Sequence, residues 1–131
     1  MRRVYVIDDD RDIVESISIA LKKNNYEVGA QYDETNIDSN LKQFKPDLII
    51  LDVMFPEDSS AGFEIARKIK ANKEFAMIPI IMLSAINERG IYMGKFSDQD
   101  LDDSWIPVSM FLEKPINPKD LVEKVNSFFV E

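Results

Sequence analysis

Four apolar runs in this sequence each end on residues able to do chemistry. Val4-Tyr5-Val6-Ile7 runs into Asp8-Asp9-Asp10, and Leu48-Ile49-Ile50-Leu51 into Asp52. Ile78 to Leu83 runs into Ser84, and Met110-Phe111-Leu112 into Glu113-Lys114-Pro115. The chain has no histidine and no cysteine. That removes the usual general base, the usual zinc ligand, thiolate chemistry and a phosphohistidine on this chain. What remains is an oxygen-only set with one amine. Carboxylates gathered beside apolar strands repel one another, and each is driven to neutralise or move apart. A hard divalent cation resolves the conflict. Mg²⁺ takes oxygen ligands in octahedral geometry and recruits phosphate oxygens, so it suits this set. A lysine and a hydroxyl nearby then read as ligands for an incoming anion.

Each residue alone also has a plain reading. Aspartates after a strand are as often a solvated loop or a helix N-cap, Ser84 can cap a strand end, and Lys114 can be a surface lysine in a turn. Asp52 resists this, because a carboxylate next to Leu-Ile-Ile-Leu is costly unless it sits at the strand mouth and is used. The chemical reading rests on the four places together and on the elements that would converge them.

Those elements alternate. Val4–Ile7 is a short buried strand. Asp12 to Lys23 has helical periodicity, with Ile13, Ile17, Ala20 and Leu21 on one face and an end at Lys22-Lys23-Asn24-Asn25. Tyr26 to Tyr32 alternates as a second strand, with Tyr26, Val28, Ala30 and Tyr32 on one side. Ile37, Leu41 and Phe44 mark a short helix stopped by Pro46. Leu48 to Val53 is the most apolar run and reads as a central parallel strand covered on both faces. Gly62 to Ala71 is a third helix with Phe63, Ala66 and Ile69 inward, Ile78 to Leu83 a fourth strand, and Met110–Leu112 a fifth. A last helix starts at Asn117 as N-cap, with Pro118 in its first turn and Leu121, Val125 and Phe128 inward. Alternating strands and helices predict a parallel α/β sheet with right-handed crossovers, whose ligands bind beyond the strands' C-terminal ends.

Bulk properties narrow the function. The 131 residues suit one domain. A net charge of −8 repels nucleic-acid phosphates and predicts no direct DNA or RNA partner. No apolar run reaches the roughly 20 residues a membrane helix needs. The start shows no signal peptide, and a cytoplasmic protein is expected. No output domain follows the last helix, so output is expected to act through a protein partner.

The chain resembles the receiver domain of two-component response regulators over essentially its full length, 1–131. The likeness is carried by Val6-Ile7-Asp8-Asp9-Asp10, Pro46 to Pro56, Ile78 to Ala85 and Phe111-Leu112-Glu113-Lys114-Pro115. It implies the flavodoxin-like (CheY-like) three-layer α/β sandwich, a parallel sheet of order 2-1-3-4-5 with helices on both faces. It implies that Asp52 accepts a phosphoryl group from the phosphohistidine of a sensor histidine kinase or phosphotransfer protein. Asp8 and Asp9, with Asp52 and the Met54 carbonyl, would hold Mg²⁺. Lys114 would pair with phosphoryl oxygens, and the Ser84 hydroxyl would bond one after transfer. Phe111 would be the switch aromatic, and Lys114-Pro115 a cis peptide. The switched surface would regulate a downstream protein target. Such a domain catalyses only its own phosphorylation and slow dephosphorylation.

Three features depart from the family's pattern. The loop from Asp52 to Gly62 is longer. The segment between Ser84 and Lys114 is also longer, and 87–108 lacks a clean fourth-helix stripe. It reads either as a solvated loop or as a docking surface anchored by Trp105. Its Asp98, Asp100 and Asp102 open like a calcium loop, but Asp103 and Ser109 stand where that pattern needs Gly and Glu. Finally, Met54 and Ile86 stand where the family's side chains flank the path of a hydrolytic water, and neither can hydrogen-bond and orient it, which predicts slow self-dephosphorylation.

Other functions compete. A receiver-fold binding module that works without phosphate would not need Asp9, Asp52, Ser84 and Lys114 together. An aspartyl-phosphate hydrolase of the haloacid-dehalogenase type needs a second Asp where Met54 stands. A flavin carrier needs a Ser/Thr/Gly-rich phosphate loop after the first strand, and the aspartates are there instead.

Overall fold

Apolar runs without polar alternation need cover on both sides, and the strands obtain it from helices above and below. The computed structural model describes residues 2–33, 35–52, 61–84, 110–113 and 117–129. Five strands, β1 (Arg2–Ile7), β2 (Tyr26–Gln31), β3 (Leu48–Asp52), β4 (Ile80–Ser84) and β5 (Met110–Glu113), pair in parallel in the order β2-β1-β3-β4-β5. The helices among the described residues are α1 (Arg11–Lys23), α2 (Ile37–Phe44), α3 (Ala61–Ala71) and α4 (Pro118–Ser127). The predicted α/β architecture and strand order are therefore present. None of these helices is long and apolar enough to cross a membrane.

Alternate residues of β1, β3 and β4 feed two cores. Tyr5, Ile7, Ile49, Leu51, Ile80 and Met82 pack with Leu41 of α2 and with Ile65, Ala66 and Ile69 of α3. Val4, Val6, Leu48, Ile50, Ile81 and Leu83 pack with Val14, Ile17 and Leu21 of α1 and with Leu121, Val122 and Val125 of α4. Each fully buried Leu, Ile or Val contributes about 1.5–3 kcal/mol relative to exposure. With both faces occupied, β3 has no freedom to slip by one residue.

Several boundaries have local reasons; the end of α2 is as expected, and others differ. The inward stripe of α1 runs through Val14, Ile17 and Leu21, leaving Ile13 and Ala20 at its margin. β2 stops at Gln31, and Tyr32 lies outside it, exposed, with the Arg11 guanidinium 3.9 Å from its ring centroid. α2 ends one residue before Pro46, on Lys45 in the left-handed region (φ 56°), since a residue preceding proline avoids the right-handed helical region. β4 begins after Pro79, which has no N–H for the ladder; the Pro79 carbonyl still accepts from Ile49 N–H at 3.0 Å. Gly29 lets β2 approach the aromatic pair Tyr5 and Phe44, because a Cβ there would lie 2.9 Å from each ring. The long segment 87–108, with Trp105 and the aspartates of the calcium-like pattern, lies outside the described residues.

Candidate metal and phosphoacceptor site

β1 and β3 are neighbours in register, with Ile7 opposite Leu51, so Asp8 and Asp52 leave the sheet side by side at its C-terminal edge. Asp8 is 0% exposed and Asp52 1% exposed. Asp9 is more accessible. One carboxylate oxygen from each of Asp8, Asp9 and Asp52 falls within 4.8 Å of the others. Residues distant in sequence thus converge as the strand pattern predicts.

The turn after β1 sorts its three aspartates. Asp10 is the N-cap of α1, its carboxylate accepting from Asp12 N–H at 3.0 Å and Ile13 N–H at 3.3 Å. The N-cap reading therefore holds for Asp10 and not for its two neighbours. Asp8 is held from two sides: its N–H donates to the Gln31 carbonyl at 3.2 Å, and its Oδ1 accepts from Asp10 N–H at 2.9 Å. The cap and the acidic cluster share one turn, so the helix start fixes the rotamer of Asp8.

Two carboxylates at such separation repel by on the order of 3–4 kcal/mol if both are charged, at an effective dielectric of about 20. The donor set is all oxygen. Octahedral Mg²⁺ ligands stand about 2.9–4.2 Å from one another, so this spacing needs little adjustment to close on such an ion. The residues present fit a hard divalent cation.

Other predicted site residues are described in part or not at all. Asp52 pairs with Leu83, which puts the backbone of Ser84 one residue further along at the same edge. Ser84 in turn pairs with Glu113, and Met82 with Phe111. The side chains of Ser84 and Phe111 lie outside the described atoms. Met54, Ile86, Lys114 and Pro115, with the expected cis peptide, lie outside the described residues.

Sequence reasoning missed one polar group behind the cluster. Gln31 is 8% exposed and bonds Tyr5, Asn40 and the loop after β2. A glutamine closing β2 at the ligand-binding edge was the available signal.

Comparison with known proteins agrees with this geometry. Residues 4–126 match the family model described as response regulator receiver domain. The phosphate regulon transcriptional regulatory protein PhoB of Pseudomonas aeruginosa is 29% identical over 126 residues, covering 96% of this chain and 51% of PhoB. The DNA-binding dual master transcriptional regulator RpaA of Synechocystis is 30% identical over 127 residues, covering 97% of this chain and 48% of RpaA. The chain spans about half the length of the curated relatives it matches. Among solved structures, the response regulator protein TrrA of Thermotoga maritima, in complex with Mg²⁺–BeF, aligns with a TM-score of 0.73 at 27% identity. That alignment covers 97% of this chain and 98% of TrrA.

Proposed function

Because the chain belongs to the response regulator receiver domain family, we propose that residues 1–131 form one receiver domain in which Asp52 accepts a phosphoryl group from a histidine kinase or phosphotransfer protein. The observation that carries this is the convergence of Asp8, Asp9 and Asp52, two of them buried, at the end of adjacent strands.

Asp52 ends the central strand and is flanked by β1 and β4. Its backbone pairs with Leu83 of β4, directly after Leu51 pairs with both Ile7 and Met82, so its carboxylate is presented to an incoming phosphorus with little freedom to lose. In the transfer, a carboxylate oxygen of Asp52 forms the new O–P bond in line with the P–N bond that breaks. The electron pair of that bond returns to the donor imidazole, which takes up a proton. Asp8, Asp9 and Asp52, with the Met54 carbonyl, would hold Mg²⁺; the similar structure of TrrA is a complex with Mg²⁺–BeF. Bound there, the ion supplies neutralisation of phosphoryl charge. Lys114 adds a second positive charge, and the Ser84 hydroxyl donates to a phosphoryl oxygen once the group has arrived.

The product adds roughly one to two negative charges at one buried point. Ser84 and Lys114 move toward it, and Phe111 turns into the space that Ser84 leaves, a two-state repacking biased by local charge. The net charge of −8 repels nucleic-acid phosphates and favours a protein as the target. Met54 and Ile86, at the positions that flank the hydrolytic water in the family, carry side chains that cannot orient it, which supports a long-lived phosphorylated form.

Incubation with acetyl phosphate and Mg²⁺ is expected to add the mass of one phosphate, and Asp52→Asn to abolish it. An unmodified mass under those conditions would favour a module that signals without phosphate.

A further inference from the structure

Among the described residues, Asp8, Gln31 and Asp52 are the buried polar or charged ones. The proposed function uses the two aspartates and leaves Gln31 without a role. Gln31 ends β2 and all of its amide's bonding positions are filled. Oε1 accepts from the Tyr5 hydroxyl at 2.7 Å and from Asn40 Nδ2 at 2.9 Å. Nε2 donates to the Asp33 carbonyl at 2.6 Å and the Thr35 carbonyl at 3.0 Å. A buried amide gains little net stability from such bonds, because each replaces one to water. An apolar side chain could close β2 without them. The amide does something an apolar side chain cannot: it ties β1, the end of β2, the following loop and α2 at one point.

That point is one bond from the acidic cluster. The Gln31 carbonyl accepts from Asp8 N–H, and Asp8 Oδ1 accepts from Asp10 N–H. At 3.2 Å the first of these bonds is at the long end of the normal range, so a small displacement of Gln31 breaks it. The chain Asn40–Gln31–Asp8–Asp10 therefore runs from α2 to the N-cap of α1 through a carboxylate of the cluster.

We infer that Gln31 is a positioning residue for the metal site: its amide, clamped by Tyr5, Asn40 and the loop carbonyls, fixes the main-chain carbonyl that orients Asp8. The inference rests on the reading of Asp8, Asp9 and Asp52 as a Mg²⁺ site. It assigns Gln31 no contact with ion or phosphate. Partners that orient ligands from behind typically change metal affinity 10–100-fold when removed, and an indirect one belongs at the lower end.

Titration calorimetry of the full chain with MgCl₂ tests this, alongside amide exchange of Asp8 followed by NMR. Gln31→Met keeps side-chain length and removes every bond of the amide. It is expected to raise the Mg²⁺ Kd about tenfold and to speed exchange at Asp8 more than at the β3 amides. Tyr5→Phe and Asn40→Ala each remove one donor to Oε1 and are expected to move Kd the same way by smaller factors. Val125→Ala, in the core on the opposite side of the sheet, lowers stability and is expected to leave Kd unchanged. A folded Gln31→Met with unaltered Kd overturns the inference, as does an equal weakening in Val125→Ala. Should Gln31→Met not fold, unaltered Kd in both Tyr5→Phe and Asn40→Ala overturns it. No Mg²⁺ binding by the unsubstituted protein sinks the metal reading itself, a result distinct from either.

Discussion

At the N-terminal edge of the sheet, Arg3 meets opposite charge and a helix end. Its N–H donates to Asp47 at 2.8 Å, its guanidinium donates to the Phe44 carbonyl at 2.9 Å, and it lies 3.6 Å from Glu27. These groups are substantially exposed, with Arg3 and Glu27 at 41% and 48%. At the C-terminal edge of the same strands, Asp8, Asp9 and Asp52 set like charges together, with Asp8 and Asp52 out of solvent. One edge satisfies its charges and contributes modestly to stability. The other gathers three carboxylates of like charge in an arrangement suited to a cation. Like charges gathered at the mouth of a parallel sheet point to use, and the contrast between the edges can be tested.

The largest test removes a member of the cluster. Asp8→Asn is expected to stabilise the metal-free protein by about 2–3 kcal/mol through lost repulsion. Mg²⁺ is expected to raise the Tm of the unsubstituted protein clearly and that of Asp8→Asn far less. Thermal melts with and without MgCl₂ read both, and an Asp8→Asn that loses stability would erase the contrast. Next comes Gly29→Ala, which forces a Cβ against Tyr5 and Phe44 and is expected to cost about 1–3 kcal/mol in urea unfolding. It should leave Mg²⁺ affinity intact if the cluster is positioned through Gln31 rather than through the middle of β2.

Smaller effects sharpen the boundary of the site. Asp10→Ala is expected to cost about 1 kcal/mol as a lost N-cap, with Mg²⁺ binding retained. Arg3→Ala at the far edge is expected to cost about 0.5–1.5 kcal/mol for its lost guanidinium hydrogen bond to Phe44, the backbone bond to Asp47 being kept, and to leave Mg²⁺ affinity unchanged. If Asp10→Ala abolished binding, the division of the acidic turn between cap and cluster would be wrong. The smallest effect lies at alkaline pH. Burial raises the phenols of Tyr5 and Tyr26 above their ordinary 10.0, opposed at Tyr5 by the Asn40 amide and at Tyr26 by the Arg2 charge. The folded state thus holds those protons more tightly than the unfolded chain. Their contribution is complete below pH 10 and is lost as pH rises through the folded values. Denaturant midpoints between pH 9 and about 11 should fall, and Tyr5→Phe with Tyr26→Phe should flatten that slope.

Much of the fold was legible because a two-faced parallel strand has no polar alternation to blur it. The run at Leu48–Leu51 and the acidic stop at Asp52 located the centre of the sheet and its working edge. Less legible were features made by neighbours. The inward face of α1 is centred on Val14, Ile17 and Leu21, which pack on the strands, rather than on Ile13 and Ala20. Tyr32 left the strand to stack with Arg11, and β4 waited for Pro79 to pass. Gln31 gave little local sign, since its partners come from β1, the loop after β2 and α2.

Residue types alone determined that any site here would be oxygen-only and suited to a hard cation, since no histidine or cysteine is available. They also determined a parallel sheet with chemistry at its C-terminal edge. Tertiary structure decided which aspartates take part. Asp8, Asp9 and Asp10 are near-equals in the sequence, but the start of α1 claims Asp10 as its cap, and the β1–β3 register sets Asp8 beside Asp52. Hydrogen bonding to helix amides competes with clustering for the same carboxylates, and only the folded backbone settles that competition.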